Sequence, residues 1–401
     1  MKLLHVSDLH IGKRVNGMSM VEDQAHILGQ IVAVAKREDV AALLVAGDIY
    51  DKASPSAEAV AMFDAFLTEL AQAGIRVLGI PGNHDSAERV AYVQGLLASQ
   101  GVCFPPVFSG QVNVVELEDE HGTVSFWLLP FLKPGDVRRY FPDIEIGDDY
   151  AAALRAVLGA CEIDPNQRNV ALSHQLVTSG GLSPERADDE IKLGGIDAVD
   201  VSVYDAFDYV ALGHIHRAQR VGRDTVRYAG SPLKYSFGEA RYDKSAVLVE
   251  LGGKAPGDAV GACVSWKLVP LEPLHDMREL RAPLHELLDA GVEELDGAQD
   301  YLHITLTDEH PQIDAMARLR EVYPNAMVLD YENEAILAAR EQVRAAVDPD
   351  KLDTAELFAR FYEEQVGSPM DELQADIVAK AVHAVEAAHG RGSDGAEGGV
   401  R

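Results

Sequence analysis

The chain has 401 residues, 47% of them hydrophobic and 25% charged, the mix of a globular protein with a sizeable core and room for two or three domains. With 35 Lys plus Arg against 65 Asp plus Glu, its formal charge is −30. That excludes standing affinity for a polyanion through net charge, but not an enzyme acting on one where bound cations or a basic partner invert the local field.

No apolar run reaches the length of a membrane span. Met1-Lys2-Leu3-Leu4-His5-Val6-Ser7-Asp8 meets charge too early for a secretory signal. Cys103, Cys161 and Cys263 form no C-x-x-C pattern, so buried free thiols in a cytoplasmic protein are expected.

In chain order, Lys2 to Val6 reads as a strand, and Met20 to Lys36 as a helix from the spacing of Val21, Ala25, Leu28, Ile31, Val32 and Ala35. Val40 to Ala46 is a continuous apolar run, the pattern of a strand buried on both faces. Ser54-Pro55-Ser56 opens a helix that Gly74 follows, and Val77 to Ile80 is a third strand. Thr123 to Leu129, Val170 to Leu172, Tyr209 to Leu212, Val226 to Ala229 and Ala246 to Leu251 read as further strands, several with the punctuation of antiparallel structure.

Near Pro270 the character changes. Tyr301 to Leu306, Ile313 to Val322 and Ala326 to Leu329 form a small strand–helix–strand unit. Beyond about Glu341 the pattern is helical. Leu357, Phe358, Phe361 and Tyr362 share one helix, and a second carries Leu373, Ile377, Val378, Ala381, Val382 and Val385. Such short amphipathic helices must fold back or dock on a partner. The tail 390–401 is low-complexity, with disorder expected. The expected divisions are therefore 1–269, 270–341, 342–389 and 390–401.

Five polar motifs stand where strands stop: Asp8-Leu9-His10, Gly47-Asp48 with Asp51, Gly82-Asn83-His84-Asp85, Ser173-His174, and Gly213-His214-Ile215-His216. The carboxyl ends of strands in an open α/β sheet converge on one edge, so these motifs would meet. Two carboxylates, four imidazoles and an amide oxygen at one place call for a cation, and two ions fit the count better than one. Oxygen donors mixed with imidazoles point to Mn²⁺, with Fe, Mg or Zn as alternatives. Two ions roughly 3.5–4 Å apart would clamp a phosphate and activate water for in-line attack. Each motif alone is weak or moderate; all five in this order form a strong signal.

In that order and context the chain resembles the calcineurin-like metallophosphoesterases. Through "HVSDLHIGKRVNGMSMVEDQ", "GDIYDKASPS", "GNHDSAERV", "LGHIHRAQRV" and "YAGSPLKYSFGEA" it is similar to their SbcD branch of nuclease subunits. The resemblance implies an α/β fold, a four-layer α+β sandwich with a small α/β capping domain and C-terminal helices. One ion would be held by Asp8, His10, Asp48 and His216, and the other by Asp48, Asn83, His174 and His214, with Asp48 bridging. His84 would face the scissile phosphate without ligating. Asp51, where other branches have a second histidine, would hydrogen-bond His84 and favour its imidazolium form.

The resemblance further implies a Mn-dependent DNA nuclease subunit, with 3′–5′ exonuclease action on double strands, endonuclease action on single strands and hairpin opening. It would serve DNA end processing, repair and recombination. It would form a homodimer through the Ser56–Ala73 and Ala87–Ser99 segments, and dock an SbcC-type ATPase through the helices around Phe358, Phe361 and Tyr362. The rival enzyme reading is a phosphatase or small-molecule phosphodiesterase of the same superfamily, although no Asp-Arg-Gly follows Gly47-Asp48. Of the remaining polar residues, His5 is expected to be a core histidine and Asp85 to cap the next helix or fix its loop. Arg14, Arg89, Arg217, Lys234 and Arg241 are candidate phosphate contacts, and Ser231 a candidate for shaping the active-site edge.

Overall fold

The computed structural model describes residues 1–187, 197–293, 297–310, 312–332, 358–359, 362, 369–371, 373–380 and 382. Phe361 and the tail 390–401 lie outside the described residues. The chain divides into two compact units. The first comprises Met1–Arg281, His285–Thr305 and Asp314–Asp330. The second comprises Ala282–Leu284, Leu306–Ile313 and Tyr331–Arg401.

Two six-stranded sheets build the first unit. One runs in the order Val264–Pro270, Ser245–Leu251, Lys2–Val6, Ala42–Ala46, Arg76–Ile80 and Val102–Cys103. The other runs in the order Gln219–Val221, Arg223–Tyr228, Tyr209–Leu212, Arg168–Ser173, Gly122–Leu129 and Asn113–Asp119. Both are mixed: Lys2–Val6 pairs parallel with Ala42–Ala46 and antiparallel with Ser245–Leu251, while Gly122–Leu129 pairs parallel with Arg168–Ser173 and antiparallel with Asn113–Asp119.

Alternation of side chains along each strand explains the layering. Leu3, Leu44, Leu78 and Ile80 turn inward and pack on Phe126, Leu128, Val170, Leu172 and Ala211 of the facing sheet. Their neighbours Leu4, Leu43, Val45 and Val77 turn outward onto the helices Val21–Arg37 and Ala57–Gln72. The far face of the second sheet is covered by the helix Tyr150–Gly159 through Ala153, Leu154 and Val157. The result is an α/β/β/α sandwich, and strands buried on both faces read as unbroken apolar runs for that reason.

Within the core, His5 is fully buried, and its Nδ1 lies 2.9 Å from the Tyr209 hydroxyl of the facing sheet. Burial lowers its pKa to about 3, so it is a neutral cross-sheet tie. The three cysteines are free, as expected, but half-buried rather than buried. Two border edge strands and Cys161 follows a helix end, where packing is incomplete.

A small sheet of Met277–Ala282, Tyr301–Leu306 and Ala326–Tyr331 follows Pro270, with the helices Leu284–Glu293 and Ala315–Val322 in its connections. In the second unit, the Leu284 backbone N–H donates to Asp308 at 2.8 Å, and the Glu332 N–H donates to the Leu306 carbonyl at 2.8 Å. Residues 373–380 are helical, with Leu373 and Ile377 exposed; Phe358 is also exposed. Among the described residues, no helix is long and apolar enough to cross a membrane.

Candidate metal centre

All seven expected donors converge. Asp8 and His10 follow the strand Lys2–Val6, Asp48 follows Ala42–Ala46, and Asn83 follows Arg76–Ile80, three adjacent strands of one sheet. His174 follows Arg168–Ser173, and His214 and His216 follow Tyr209–Leu212, two adjacent strands of the other. The site therefore straddles the edge where both sheets end, in a cleft of about 400 Å³ lined by His10, Asp48, Asn83, His84, His214 and His216.

The distances sort the donors into two sets sharing Asp48. In one, His10 Nε2 lies 3.2 Å from His216 Nε2 and 3.7 Å from Asp48 Oδ2. In the other, His174 Nε2 lies 3.3 Å from the same Asp48 oxygen and 3.2 Å from Asn83 Oδ1, which is 3.0 Å from His214 Nδ1. Asp8, His10 and His216 form one compact trio of potential ligand atoms, and Asp8, Asp48 and His174 another.

The chemistry of these atoms fits divalent cations. His174 Nδ1 is 2.7 Å from the Ala46 carbonyl, which can only accept, so Nδ1 carries the proton and Nε2 turns a lone pair toward the Asn83 oxygen. His216 Nδ1 faces the Glu239 carboxylate at 3.1 Å, which likewise turns its Nε2 lone pair toward His10. Acceptors facing acceptors in a buried place need positive charge between them.

Protons compete for the same place. Burial alone would lower His174, but Asp48 and Asp8 raise it to about 9. Burial opposes protonation of His216 as well, yet Glu239 raises it. His10 is held well below its ordinary value by burial, and His214 goes down to about 3 through burial and the His174 charge. Burial would raise Asp48, but His174 and His10 hold it well below the carboxylate range; burial raises Asp8. Ion binding would compete with the proton that Asp48 and Asp8 favour on His174, so it would strengthen as pH rises.

The backbone is shaped to this purpose. Asp8, His10, Asp48 and His214 have φ of 53°, 44°, 50° and 102°, a left-handed region that costs non-glycine residues about 1–3 kcal/mol each. Backbone N–H groups aim the carboxylates: His84 donates to Asp48 Oδ1 at 2.9 Å, and His214 donates to Asp8 Oδ1 at 3.0 Å. Glycines make room. A Cβ on Gly82 would stand 2.2 Å from Asp48 Oδ1, and one on Gly47 would stand 2.2 Å from His174 Nδ1.

His84 is exposed beside the cluster, with its ring 4.8 Å from that of His10 and edge-on to it. The expected partner is the right residue, but the bond is made by a different atom. His84 Nδ1 lies 3.0 Å from the Asp51 backbone carbonyl, while the Asp51 carboxylate pairs with Lys13 at 3.0 Å. After the turn at Asp48 the carbonyl, not the side chain, faces the third loop. A favouring of the imidazolium by the Asp51 carboxylate has no contact behind it. Asp51→Asn should therefore leave the pH–rate profile unchanged and raise KM several-fold through Lys13; a shifted acidic limb in the profile would restore the side-chain role.

Asp85 fixes the loop. Its carboxylate accepts from Ile49 N at 3.0 Å, Tyr50 N at 2.9 Å and Gly82 N at 2.9 Å, stitching the second motif to the third. Burial and Asp48 raise its pKa to about 6 despite those bonds. The following helix is capped by Ser86 instead.

Three further groups stand outside the five strand-end motifs. Lys13 and Arg186 line the cleft, and Glu239 lies at its floor. The basic residues chosen from proximity to motifs are partly committed elsewhere: Arg217 pairs with Glu185, Lys234 pairs with Asp276 at 2.8 Å, and Arg14 donates to the Gly17 carbonyl. Lys13 was legible as a cation three residues beyond His10; Arg186 had no local signal.

Glu239 holds His216, accepts from Lys244 Nζ, and lies 3.3 Å from the hydroxyl of Ser231, which also takes a 2.7 Å bond from Lys244. Ser231 thus shapes the floor of the site through Glu239 and Lys244. Burial would raise Glu239, but Lys244 and His216 bring it down to about 2. A folded pKa below the unfolded value stabilises the fold above the ordinary carboxylate range and loses that contribution as pH falls toward about 2. Glu239→Gln removes the carboxylate that pairs with the buried Lys244 charge and should cost about 3 kcal/mol at neutral pH. Urea unfolding should show that deficit shrinking as the pH falls below about 5; a constant deficit would mean packing alone was lost.

The chain is similar to known proteins along most of its length. The model for calcineurin-like phosphoesterases matches residues 1–218, and a model described as the type 5 capsule protein repressor C-terminal domain, of SbcD type, matches residues 273–366. The SbcD component of the SbcCD nuclease of Staphylococcus epidermidis is 27% identical over 379 residues, covering 94% of this chain and 96% of that one. Among solved structures, a dimetal phosphatase from Danio rerio is 14% identical and covers 68% of this chain and 98% of its own, with a TM-score of 0.41. A protein from Thermus thermophilus is 13% identical and covers 68% of this chain and 99% of its own, with a TM-score of 0.39. With its first 218 residues, more than half of its length, matching one family model, the chain belongs to the calcineurin-like phosphoesterases.

Proposed function

We propose that this protein is the nuclease subunit of an SbcC–SbcD-type complex, a Mn-dependent DNA phosphodiesterase. The observation that carries the proposal is the double donor set around Asp48 with His84 beside it, in a chain similar to an SbcCD nuclease subunit over 94% of its length. Asp8, His10, Asp48 and His216 would hold one ion, and Asp48, Asn83, His174 and His214 the other. When bound, two such ions supply Lewis-acid stabilisation of the phosphate and activation of water.

The chain's own residues do the rest. Ala46 and Glu239 fix the tautomers of His174 and His216. Lys13, steadied by Asp51, and Arg186 offer cations to substrate phosphates. His84, held at Nδ1 by the Asp51 carbonyl, presents Nε2 to the phosphate and, as the imidazolium, gives a proton or hydrogen bond to the departing oxygen.

The same reading includes 3′–5′ exonuclease action on double strands, endonuclease action on single strands and hairpin opening, in the cytoplasm, for end processing and repair. It places a capping domain at 270–341 and an SbcC-type ATPase on the helical region 342–389 around Phe358 and Tyr362. It also includes a homodimer through the Ser56–Ala73 and Ala87–Ser99 segments, which expose Val60, Tyr92, Val93 and Leu96, an apolar surface suited to a second copy.

The deciding experiment incubates the protein and Mn²⁺ with hairpin DNA, end-blocked DNA, a cyclic nucleotide and a phosphopeptide. Cleavage of the hairpin is expected. An intact hairpin with a hydrolysed phosphopeptide or cyclic nucleotide would move the assignment to a phosphatase or small-molecule phosphodiesterase. Light scattering on the same sample should give the mass of two chains; a single-chain mass removes the homodimer.

A further inference from the structure

Two neighbouring side chains at the start of the helix Val21–Arg37 point to different parts of the molecule, and both are buried. Asp23 reaches the small sheet. One of its oxygens accepts from the His275 backbone N–H at 2.9 Å, and the other lies 2.7 Å from the Tyr301 hydroxyl and 3.2 Å from His275 Nδ1. Gln24 reaches the loop that carries His10. Its oxygen accepts from Gly12 N at 2.9 Å, and its amide donates to the His10 carbonyl at 2.7 Å and lies 3.2 Å from the Tyr235 hydroxyl. Tyr235 in turn donates to the Leu9 carbonyl.

The helix start itself takes no side-chain cap: Met20 occupies the capping position. The polar residues of this first turn serve outside contacts instead. A buried carboxylate is costly unless fully satisfied, and Asp23 is satisfied by Tyr301 of the small sheet and by His275 just ahead of its first strand. The His10 loop is left-handed at His10, a conformation that persists only when its surroundings hold it. Gln24 supplies that hold with both ends of its amide.

We infer that Gln24 is a positioning residue for His10, and that Asp23 makes this hold depend on the seating of the small sheet through Tyr301 and His275. The inference rests on the metal reading of the site. Displacing the sheet, by substrate or by a partner, would loosen the ion shared by His10 and His216 before the ion held by Asn83, His174 and His214.

The test uses the full chain carrying Gln24→Met, which keeps side-chain bulk, or Tyr301→Phe, which removes only the hydroxyl. Calorimetric Mn²⁺ titration gives the two binding steps, assigned with His216→Ala and His214→Ala. Amide exchange of the Leu9–Gly12 loop is followed in the metal-free protein. Gln24→Met should weaken the His10 step at least about 10-fold, the effect of losing an outer support to a ligand. The other step should move less than about 3-fold, and the loop amides should exchange faster. Tyr301→Phe should give the same pattern at smaller amplitude, and it decides the matter if Gln24→Met does not fold. Equal weakening of both steps, or wild-type binding and exchange in Tyr301→Phe, would overturn the inference while leaving the metal reading intact. A wild-type chain that takes up no Mn²⁺ would overturn both.

Discussion

Replacing His84 by alanine should cut DNA cleavage by about 10²–10⁴-fold while both metal ions stay bound. The backbone gives the reason. His84 uses its N–H, not its ring, to hold Asp48 Oδ1 at 2.9 Å, and alanine keeps that N–H. Asp48 Oδ2 therefore still faces His10 and His174, and neither donor set loses a member.

What disappears is an exposed imidazole anchored at Nδ1 by the Asp51 carbonyl, with Nε2 available to a substrate. An acid or charge-stabilising group lost from that place lowers kcat more than it raises KM. The check is metal content after Mn²⁺ reconstitution, measured beside single-turnover cleavage of hairpin DNA. The geometry contains a competing possibility, because His10, Asp48 and His84 also form a compact trio of ligand types. Loss of an ion from His84→Ala would make His84 a ligand.

The architecture was legible where burial made it so. Strands buried on both faces read as unbroken apolar runs, and a polar cluster where such a run stops marks the sheet edge. That logic placed Asp8, Asp48, Asn83, His174 and His214 together from residues far apart in the chain. It could not reach contacts set by backbone direction. Asp51 lies in the expected loop, yet its carbonyl rather than its carboxylate meets His84, because the chain turns through a left-handed Asp48. Asp85 and Ser86 are adjacent and both suited to capping; only the folded loops show that Asp85 is taken by Ile49, Tyr50 and Gly82. Glu239, Lys244 and Arg186 sit outside the five strand-end motifs, and the fold alone brings them to the cleft or to the residues that line it. Ion pairs between distant charges follow no spacing rule, so proximity to a motif picked out Arg217 and Lys234, whose charges are paired elsewhere.

The Gly213→Ala substitution should disable the centre without touching a single ligand. A Cβ there would stand 1.9 Å from the Ala46 carbonyl oxygen, 2.7 Å from His174 Nδ1 and 2.9 Å from Ser7 Cβ. The first of these is backbone, at the end of a central strand, and cannot step aside as a flexible side chain would. It is also the carbonyl that accepts the His174 Nδ1 proton, so the methyl group pries apart the bond that turns Nε2 toward Asp48 and Asn83. Overpacking of this kind costs about 1–3 kcal/mol of stability. The functional cost should be larger, because loss of a ligand's outer support weakens metal binding about 10–100-fold. A displacement of about 1 Å at the reacting groups costs about 10²-fold in rate. Gly29→Ala is the matched control, since its Cβ would meet nothing within 4 Å on the helix Val21–Arg37. That variant should equal or slightly exceed the wild type in stability and leave Mn²⁺ binding alone. Thermal unfolding and a two-step Mn²⁺ titration on both variants read the contrast. Wild-type affinity at the Asn83, His174 and His214 step in Gly213→Ala would show that the close approach of these loops does not set the geometry of the site.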